Sequence, residues 1–292
     1  MKWVEALKHE MENVEDKVID GIKDIDLEFE EAYLVGSGDS YSASIIVEEM
    51  TRGKAKALDP LSAINQLDNI NKPLIIVSVS GKPRENIELA VRAKNKGIKT
   101  FALTSVKGSP LAKACDEAII MNVKRGEELI GYPLPGAISY LITLASLLKI
   151  FGLWRPLNFK QKKIEVKGNE FFIGSPKEYG NAYFSALKSY EFFGFPARAE
   201  RLEQFCHAAI FSALNNRVII IHDGEAKAYK LIKGLENLVE VEELHSECEI
   251  PQMCNALSII NSFIDKAEKI SLEKPFFAYQ RGLLKLSDEL IY

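Results

Sequence analysis

Short apolar runs alternate with amphipathic segments along most of the chain. A near-continuous apolar run such as 74–78 has the length of a strand that is covered on both faces, as in parallel sheets. The segment that follows it, 84–95, has apolar residues at helical spacing. Such alternation is typical of a doubly wound parallel sheet. In the first half of the chain, strands are predicted at 31–36, 54–58, 74–78, 99–104 and 117–123.

The same alternation restarts after an interruption. Pro156 and the basic run 160–163 predict a linker, which we place at 156–168. We therefore expect α/β architecture, with two tandem three-layer α/β/α domains over 1–155 and 169–292, each with a parallel five-stranded, flavodoxin-like sheet. In the second half, strands are predicted at 170–174, 217–222 and 238–241, with a short one near Arg198, and helices at 177–193, 203–214, 226–235 and 249–264.

The N-terminal residues predict one helix over 3–20. Its apolar positions recur at helical spacing. They are Trp3, Leu7, Met11, Val14 and Val18.

Composition and charge exclude several classes of partner. The net charge of −4 provides no broad attraction for nucleic acid. The longest apolar run, 137–151, is interrupted by Lys149 and is too short to span a bilayer. The charged N-terminus resembles neither a signal peptide nor a transit peptide. We expect no nucleic-acid partner and no membrane partner.

The four cysteines are Cys115, Cys206, Cys248 and Cys254. They show no paired framework, which predicts a reducing, cytoplasmic location. His245 lies close to two of them in sequence, but the spacing fits no usual zinc pattern. We therefore predict no metal and no other cofactor.

Two turns rich in glycine and serine follow predicted strands. Segment 36–40 follows the first strand and segment 78–82 follows the third, and each precedes a helix. Glycine lets backbone N–H groups approach a ligand closely, and a helix N-terminus attracts anions. Open α/β sheets bind ligands at the carboxyl ends of their strands. Either turn alone could be an ordinary βα loop, but together they predict a phosphate site. Its predicted residues are Gly36, Ser37, Gly38, Asp39, Ser40, Ser78, Val79, Ser80 and Lys82.

Two residues of the second half are candidates for proton transfer. Glu191 lies in a mostly apolar and aromatic segment, where burial would raise the pKa of a carboxyl group. Spacing alone allows the alternative that Glu191 faces solvent. His207 is a candidate because histidine is the side chain best suited to proton transfer at neutral pH, although a lone histidine is usually structural. Its neighbour Cys206 does not form a nucleophile pair with it, because adjacent helical residues point in different directions. His222 is predicted to be structural.

The two turns resemble the phosphosugar-binding loops of the SIS (sugar isomerase) family. Gly36-Ser37-Gly38-Asp39-Ser40 and Ser78-Val79-Ser80-Gly81 resemble its patterns Gly-x-Gly-[Ser/Thr]-Ser and Ser-x-Ser-Gly-x-Thr. The family includes the isomerase half of glucosamine-6-phosphate synthase, archaeal glucosamine-6-phosphate deaminases and phosphoglucose/phosphomannose isomerases. Pro83 replaces the family threonine, and Lys82 or Arg84 could supply a charge instead.

The second half resembles the same family. Ala186-Leu187-Lys188, Glu191 and a histidine sixteen residues later, His207, match its motif, whereas Ala208-Ala209 replaces Gly-Pro and Gln204 replaces a glutamate. The tail from Arg281 to Lys285 resembles the family C-terminus. By this resemblance the catalytic residues are Glu191, His207 and Lys285.

The resemblance implies an aldose–ketose type of proton transfer on a hexose 6-phosphate, such as fructose 6-phosphate or glucosamine 6-phosphate. The protein would be a phosphosugar isomerase or an amino-sugar-phosphate deaminase. It also implies a homodimer in which His207 reaches the site of the neighbouring subunit. The alternative is a sugar-phosphate-binding regulator or sensor without catalysis, which Pro83 and Ala208-Ala209 favour.

Overall fold

The computed structural model describes residues 2–124 and 134–292. The chain divides into two compact units, each containing one parallel sheet. The first unit consists of the described residues of 13–125, 138–154 and 281–292, and the second of those of 1–12, 126–137 and 155–280.

The sheet of the first unit has the five predicted strands, all parallel, in the order β2-β1-β3-β4-β5. Every residue of β3 is buried, as expected for a central strand covered on both faces. On one face, β1, β3 and β4 pack against apolar residues of α4, α5 and α6. The strands are β1 (Ala32–Val35), β2 (Ala55–Leu58), β3 (Leu74–Val77), β4 (Thr100–Thr104) and β5 (Glu117–Ile120).

The helices of this unit follow the predicted alternation. The long apolar helix α7 packs against α2 and α3, and the hydroxyls of Ser42 and Tyr140 lie 3.1 Å apart at this contact. The helices are α2 (Val14–Ile22), α3 (Asp39–Met50), α4 (Pro60–Asn65), α5 (Arg84–Asn95), α6 (Pro110–Ala114), α7 (Ile138–Ile150) and α13 (Arg281–Ile291), with a 3₁₀ turn at Leu67–Asn69.

The sheet of the second unit has four strands in the described residues, so the predicted five strands are not confirmed for this unit. Their order is β7-β6-β8-β9 and all pairs are parallel. No strand follows β9 because the remaining described chain is helical. The predicted strand 238–241 begins later, at Val241, because Leu238 lies in the turn that follows α10, with its N–H bonded to the carbonyl of Leu235. The strands are β6 (Glu170–Gly174), β7 (Arg198–Arg201), β8 (Arg217–Ile221) and β9 (Val241–Leu244).

Helices cover both faces of this second sheet. Phe171 packs with apolar residues of α9 and α10. Its neighbour Phe172, which points to the opposite face of the strand, has its ring centroid 6.4 Å from that of Phe263 in α11. The helices are α1 (Trp3–Met11), α8 (Tyr179–Phe193), α9 (Leu202–His207), α10 (Ala226–Leu235), α11 (Pro251–Lys269) and α12 (Phe276–Tyr279), with 3₁₀ turns at Pro176–Glu178 and Ala209–Asn215.

The predicted N-terminal helix 3–20 is two helices. Asn13 adopts a left-handed conformation, with φ of 51°, and separates α1 from α2. Trp3 is fully buried in the second unit, where its indole N–H donates to the carbonyl of Leu272 over 2.7 Å. Val18 is fully buried and belongs to the first unit. The domain boundaries 1–155, 156–168 and 169–292 remain a prediction, and the compact units differ from it at both chain ends.

The expectation of unpaired cysteines was wrong. Cys248 and Cys254 form a disulfide, so neither sulfur is a free thiolate. Cys115 and Cys206 are free, and burial raises the pKa of the Cys115 thiol to about 12. In the described parts of the chain, no helix is long and apolar enough to cross a membrane.

Candidate functional site

The two serine-rich turns lie side by side in the first unit. They follow β1 and β3, which are neighbouring parallel strands with Val35 aligned to Ile76. The order β2-β1-β3-β4-β5 reverses direction between these two strands. Open α/β sheets bind ligands in the crevice at such a reversal, outside the carboxyl ends of the strands. The fold therefore brings the two predicted loops to one crevice.

The first loop turns sharply between β1 and α3. A Cβ atom on Gly36 would lie 2.7 Å from the Cβ of Ser40, so only glycine allows this approach. Gly38 has φ of 55°, a region that glycine adopts without strain. The backbone N–H groups of Ser37 and Gly38 have no hydrogen-bond partner within residues 2–124 and 134–292. Together with the N-terminus of α3, which begins at Asp39, they are free to bind an anion.

In the second loop the serine oxygens accept bonds from the loop itself. The Oγ of Ser78 accepts the N–H of Gly81 over 3.1 Å. The Oγ of Ser80 accepts the N–H of Lys82 over 3.4 Å. Because each oxygen serves as an acceptor here, each hydroxyl hydrogen can still be donated. The loop thus presents two O–H donors, which suits a phosphate oxygen.

The carbonyl of Val79 fixes the direction of this loop. It accepts three bonds from the end of β4, from Thr104 Oγ1 (3.1 Å), Ser105 Oγ (2.8 Å) and Ser105 N–H (3.0 Å). In a trans peptide the C=O and the following N–H point in opposite directions. The N–H of Ser80 therefore points away from β4, towards the side of the sheet where β1 lies. It has no partner in the described chain.

Sequence reasoning missed Thr104 and Ser105, although Thr104 ends a predicted strand, Ser105 follows it, and their hydroxyls could have been noticed there. It also missed Asn86, in the first turn of α5, which is 1% exposed and whose Oδ1 has no partner among the described residues. Lys82 is exposed, and Pro83 adopts the N-cap position of α5. A proline there lacks the hydroxyl that the family threonine would provide.

Gly81 offers a direct test of how tightly the second loop is built. It has φ of 62°, and a Cβ there would lie 2.3 Å from the Oγ of Ser109. We expect Gly81→Ala to lower the free energy of unfolding by about 2–3 kcal/mol through backbone strain and overpacking. Urea unfolding would measure this. Gly108→Ala, where a Cβ meets open space, is the control and should change stability by less than about 0.5 kcal/mol. Equal stability of both variants would contradict this description of the loop.

Glu191 lies in the last turn of α8 and is paired with a cation. Its Oε2 lies 2.6 Å from the Nζ of Lys188, whose side chain is 1% exposed, whereas that of Glu191 is 35% exposed. The ammonium of Lys188 also lies 4.9 Å from the centroid of the Phe184 ring. The sequence predicted mostly apolar surroundings for Glu191, but the structure places a cation beside it. A nearby buried ammonium favours the ionised carboxylate, which is the form that abstracts a proton.

His207 ends a helix that is shorter than predicted. Ala208 leaves the helical conformation, so α9 stops at His207 and a 3₁₀ turn follows in place of the predicted helix 203–214. The side chain of His207 is 70% exposed, with its Nε2 3.3 Å from Glu203 Oε1. Glu203 also pairs with Lys227. His207 thus stands on the surface of the second unit.

Lys285 lies on α13, which groups with the first unit. Its side chain is 80% exposed, and its Nζ lies 3.6 Å from Glu289 Oε1. The desolvated surroundings expected for a reactive lysine are not present around it in this single chain. Glu191, His207 and Lys285 each form an ion pair with a residue three or four positions away in sequence.

Comparison with known families supports the interpretation of the two loops. Residues 30–148, which contain β1 to β5 and both loops, match the model described as SIS domain. This segment is therefore similar to the SIS domain family over its whole sheet. The resemblance inferred from the two turns is therefore confirmed. A comparison with curated proteins gives no match.

Solved structures show the same fold over most of the chain. Glucosamine-6-phosphate deaminase from Thermotoga maritima has a TM-score of 0.65 at 19% identity, covering 94% of this chain and 96% of its own. Tagatose-6-phosphate ketose/aldose isomerase from Escherichia coli has a TM-score of 0.65 at 15% identity, covering 94% and 91%. The C-terminal domain of glucosamine-fructose-6-phosphate aminotransferase from Francisella tularensis has 0.63 at 14%, covering 90% and 93%. At these identities the likeness is one of fold.

Proposed function

We propose that the protein binds a hexose 6-phosphate and transfers a proton between its C1 and C2 atoms. The reaction would be an aldose–ketose isomerisation or the deamination of an amino-sugar phosphate. The observation that carries this proposal is the crevice between β1 and β3 of the SIS domain, where serine hydroxyls and unpaired N–H groups converge. Three proteins of the same fold have names that specify such a sugar phosphate as the substrate.

The phosphate would bind to donors of both loops. Ser37 and Gly38 supply N–H groups on one side, and Ser78 and Ser80 supply hydroxyls on the other, with the N-terminus of α3 adding a partial positive charge. Hydrogen bonds to a charged group contribute about 1.5–3 kcal/mol each. These donors would bind the phosphate group of the sugar. Other residues would act on the reacting carbon atoms.

The chemistry would use the three residues that match the family pattern. Glu191 would move the proton between C1 and C2 through an enediol or enolamine, with its carboxylate held beside the ammonium of Lys188. His207 would open the sugar ring as acid and base. Lys285 would stabilise the developing charge or form a Schiff base.

In a homodimer, His207 of one subunit would reach the site of the other subunit. The imidazole of His207 is 70% exposed, which leaves it accessible to the site of a second subunit. We propose that His207 acts across such an interface. Mixing two inactive variants, His207→Ala and Glu191→Gln, should restore part of the activity through hybrid dimers. Absence of any recovery in a mixture shown to exchange subunits would contradict the shared site.

Proton NMR in D₂O tests the proposed reaction. Fructose 6-phosphate and glucosamine 6-phosphate are added separately, and the C1 and C2 protons are followed. We expect solvent deuterium to enter the sugar, and the product then separates isomerase from deaminase. No exchange with either sugar, together with ligand-induced shifts, would identify a binding module. That alternative, a regulator without catalysis, is supported by Pro83 and by the exposure of Lys285.

The phosphate site is tested by removing its hydroxyls. We expect Ser78→Ala/Ser80→Ala to weaken binding of fructose 6-phosphate by about 100-fold, because two hydrogen bonds to a charged group are lost. Isothermal titration calorimetry measures the Kd. Ser212→Ala, at an exposed serine of the second unit, is the control and should leave the Kd unchanged. An unchanged Kd in the double variant would place the phosphate elsewhere.

A further inference from the structure

The disulfide of the second unit connects a loop to a helix. Cys248 belongs to the loop 245–249, which follows β9, and Cys254 lies in the first turn of α11. Cys254 is fully buried. Cys248 is partly exposed and lies between two exposed residues, Glu247 and Glu249. A thiol in solution can therefore reach one sulfur atom of the bond, and the protein covers the other.

The backbone of the loop 245–249 is not tied to the rest of the unit. Within the described residues, its N–H groups and carbonyls form no hydrogen bond with other backbone groups. Such bonds resume on either side of the loop. The carbonyl of Leu244 accepts from the N–H of His222 over 3.1 Å, and the carbonyl of Ile250 accepts from that of Met253 over 3.0 Å. A segment with few backbone hydrogen bonds opens locally at a low cost in free energy.

Side chains hold the loop together with the disulfide. The Nδ1–H of His245 donates to the carbonyl of His222 over 3.1 Å, and the two imidazoles stack with centroids 4.8 Å apart. The carboxylate of Glu249 accepts the N–H of Asn158 over 3.3 Å. In contrast, the hydroxyl of Ser246 is buried and has no partner among the described residues. A buried hydroxyl without a partner destabilises the closed loop, and water would bind to it if the loop opened.

The loop leads directly into the buried polar contacts of α11. Asn255 follows Cys254 in the chain and is fully buried, and its amide donates to the carboxyl group of Glu178 over 2.9 Å. The disulfide therefore fixes the loop to a helical turn that is itself anchored in the interior. If the bond breaks, the helix keeps this anchor and the loop loses its covalent attachment.

We propose that the Cys248–Cys254 disulfide is a reversible redox switch, which holds the loop 245–249 in the oxidised protein and releases it in the reduced protein. The reductant is a dithiol. Its thiolate attacks the accessible Sγ of Cys248, and the S–S bond breaks with its electron pair going to the Sγ of Cys254, which takes up a proton. The second thiol of the reductant then displaces Cys248 from the mixed disulfide. Both cysteines end as thiols, and the reductant ends as a disulfide.

The switch concerns the second unit alone and does not depend on the reaction proposed above. Thiol labelling of the full chain tests its chemistry. Iodoacetamide added to the denatured, unreduced protein should modify Cys115 and Cys206 and leave the other two cysteines unmodified. If the folded protein is first treated with dithiothreitol, Cys248 and Cys254 should be modified as well, which peptide mass spectrometry measures. Oxidised glutathione should restore the disulfide.

Limited proteolysis tests whether reduction releases the loop. Glu247 and Glu249 flank Cys248, so a glutamate-specific protease can cut here when the loop opens. We expect reduction to speed this cleavage by at least about 10-fold, because proteolysis follows the population of the open form. Cleavage after Glu236, an exposed residue of the same unit, should keep its rate. Cys248→Ser should be cut at the fast rate with or without dithiothreitol, and Cys206→Ser should respond as the unchanged protein does.

The measurements on the unchanged protein decide the proposal even if Cys248→Ser does not fold. It is overturned if all four cysteines of the unreduced protein are modified, because the disulfide is then absent. It is also overturned if dithiothreitol reduces the bond only after urea has unfolded the chain, or if glutathione does not restore it. Equal cleavage of the oxidised and reduced proteins would mean that the loop stays in place without the disulfide. Faster cleavage throughout the second unit would mean that the disulfide stabilises the whole unit, which contradicts a local switch.

Discussion

Glu191→Gln should slow the exchange of solvent deuterium into the sugar phosphate by about 10²–10⁴-fold, the usual contribution of a positioned general base. Glutamine has nearly the same shape and can still accept a bond from Lys188, so the geometry at the end of α8 is kept. What disappears is the basic oxygen that carries the proton. Proton NMR in D₂O, with the sugar phosphate that the unchanged enzyme turns over, measures the rate directly.

The variant needs a check on folding, because it leaves the buried ammonium of Lys188 without its anion, which is costly. Glu191→Asp keeps the charge and withdraws the carboxylate by one methylene group. It should fold and retain intermediate activity, since a base must lie within hydrogen-bond reach of the proton. Glu236→Gln, at an exposed glutamate of the same unit, should retain full activity. If folded Glu191→Gln exchanges deuterium at the rate of the unchanged enzyme, Glu191 is not the base.

The free energy of unfolding should fall as the pH rises from about 4.5 towards 8, because the buried carboxyl group of Glu178 holds a proton in the folded protein. Burial raises the pKa of this carboxyl group from 4.5 to about 8, an effect that the amides of Asn181 and Asn255 only partly offset. Between these pH values the folded protein holds a proton that the unfolded chain has released. Stability then decreases with pH, by up to about 1.4 kcal/mol per pH unit from this group.

Glu178→Gln isolates this contribution, since glutamine does not titrate. Urea unfolding at pH 5, 6, 7 and 8 should give a shallower decrease for the variant than for the unchanged protein. Burial lowers the pKa of His222, and its bond to Glu243 only partly offsets this. Below about pH 6.5, His222 therefore makes the free energy of unfolding rise with pH. This contribution is the same in both proteins. Glu236→Gln should follow the unchanged protein. Parallel curves for Glu178→Gln and the unchanged protein would contradict a proton held by Glu178.

Much of the first unit followed from local pattern. Apolar runs of strand length alternating with amphipathic segments predicted five parallel strands, and all five form. The turns at 36–40 and 78–82 were also predicted from sequence, because glycine and serine directly after a strand favour a tight turn. Their meeting at one crevice followed from the rule for open α/β sheets. The anchoring of Val79 by Thr104 and Ser105 did not, since it joins residues 25 and 26 positions apart.

In the second unit, local sequence pattern did not predict the contacts of the candidate residues. Glu191 was singled out from sequence, but its pairing with a fully buried Lys188 was not, because helical spacing does not say which face is covered. Four of the five strands predicted for its sheet lie in the described residues, and His222 was predicted to be structural without its neighbours His245 and Glu243. These groups come from separate strands, and only the packing of the sheet places them together.

The sequence by itself determined the α/β class, the five strands of the first sheet and the two glycine- and serine-rich loops that follow β1 and β3. Those features arise from periodicity and from residues a few positions apart. The tertiary structure alone decided that Asn13 divides the N-terminal helix, that Cys248 pairs with Cys254, and that Asn255 donates to the buried carboxyl group of Glu178. Such choices depend on burial and on contacts between distant residues, which no local pattern records.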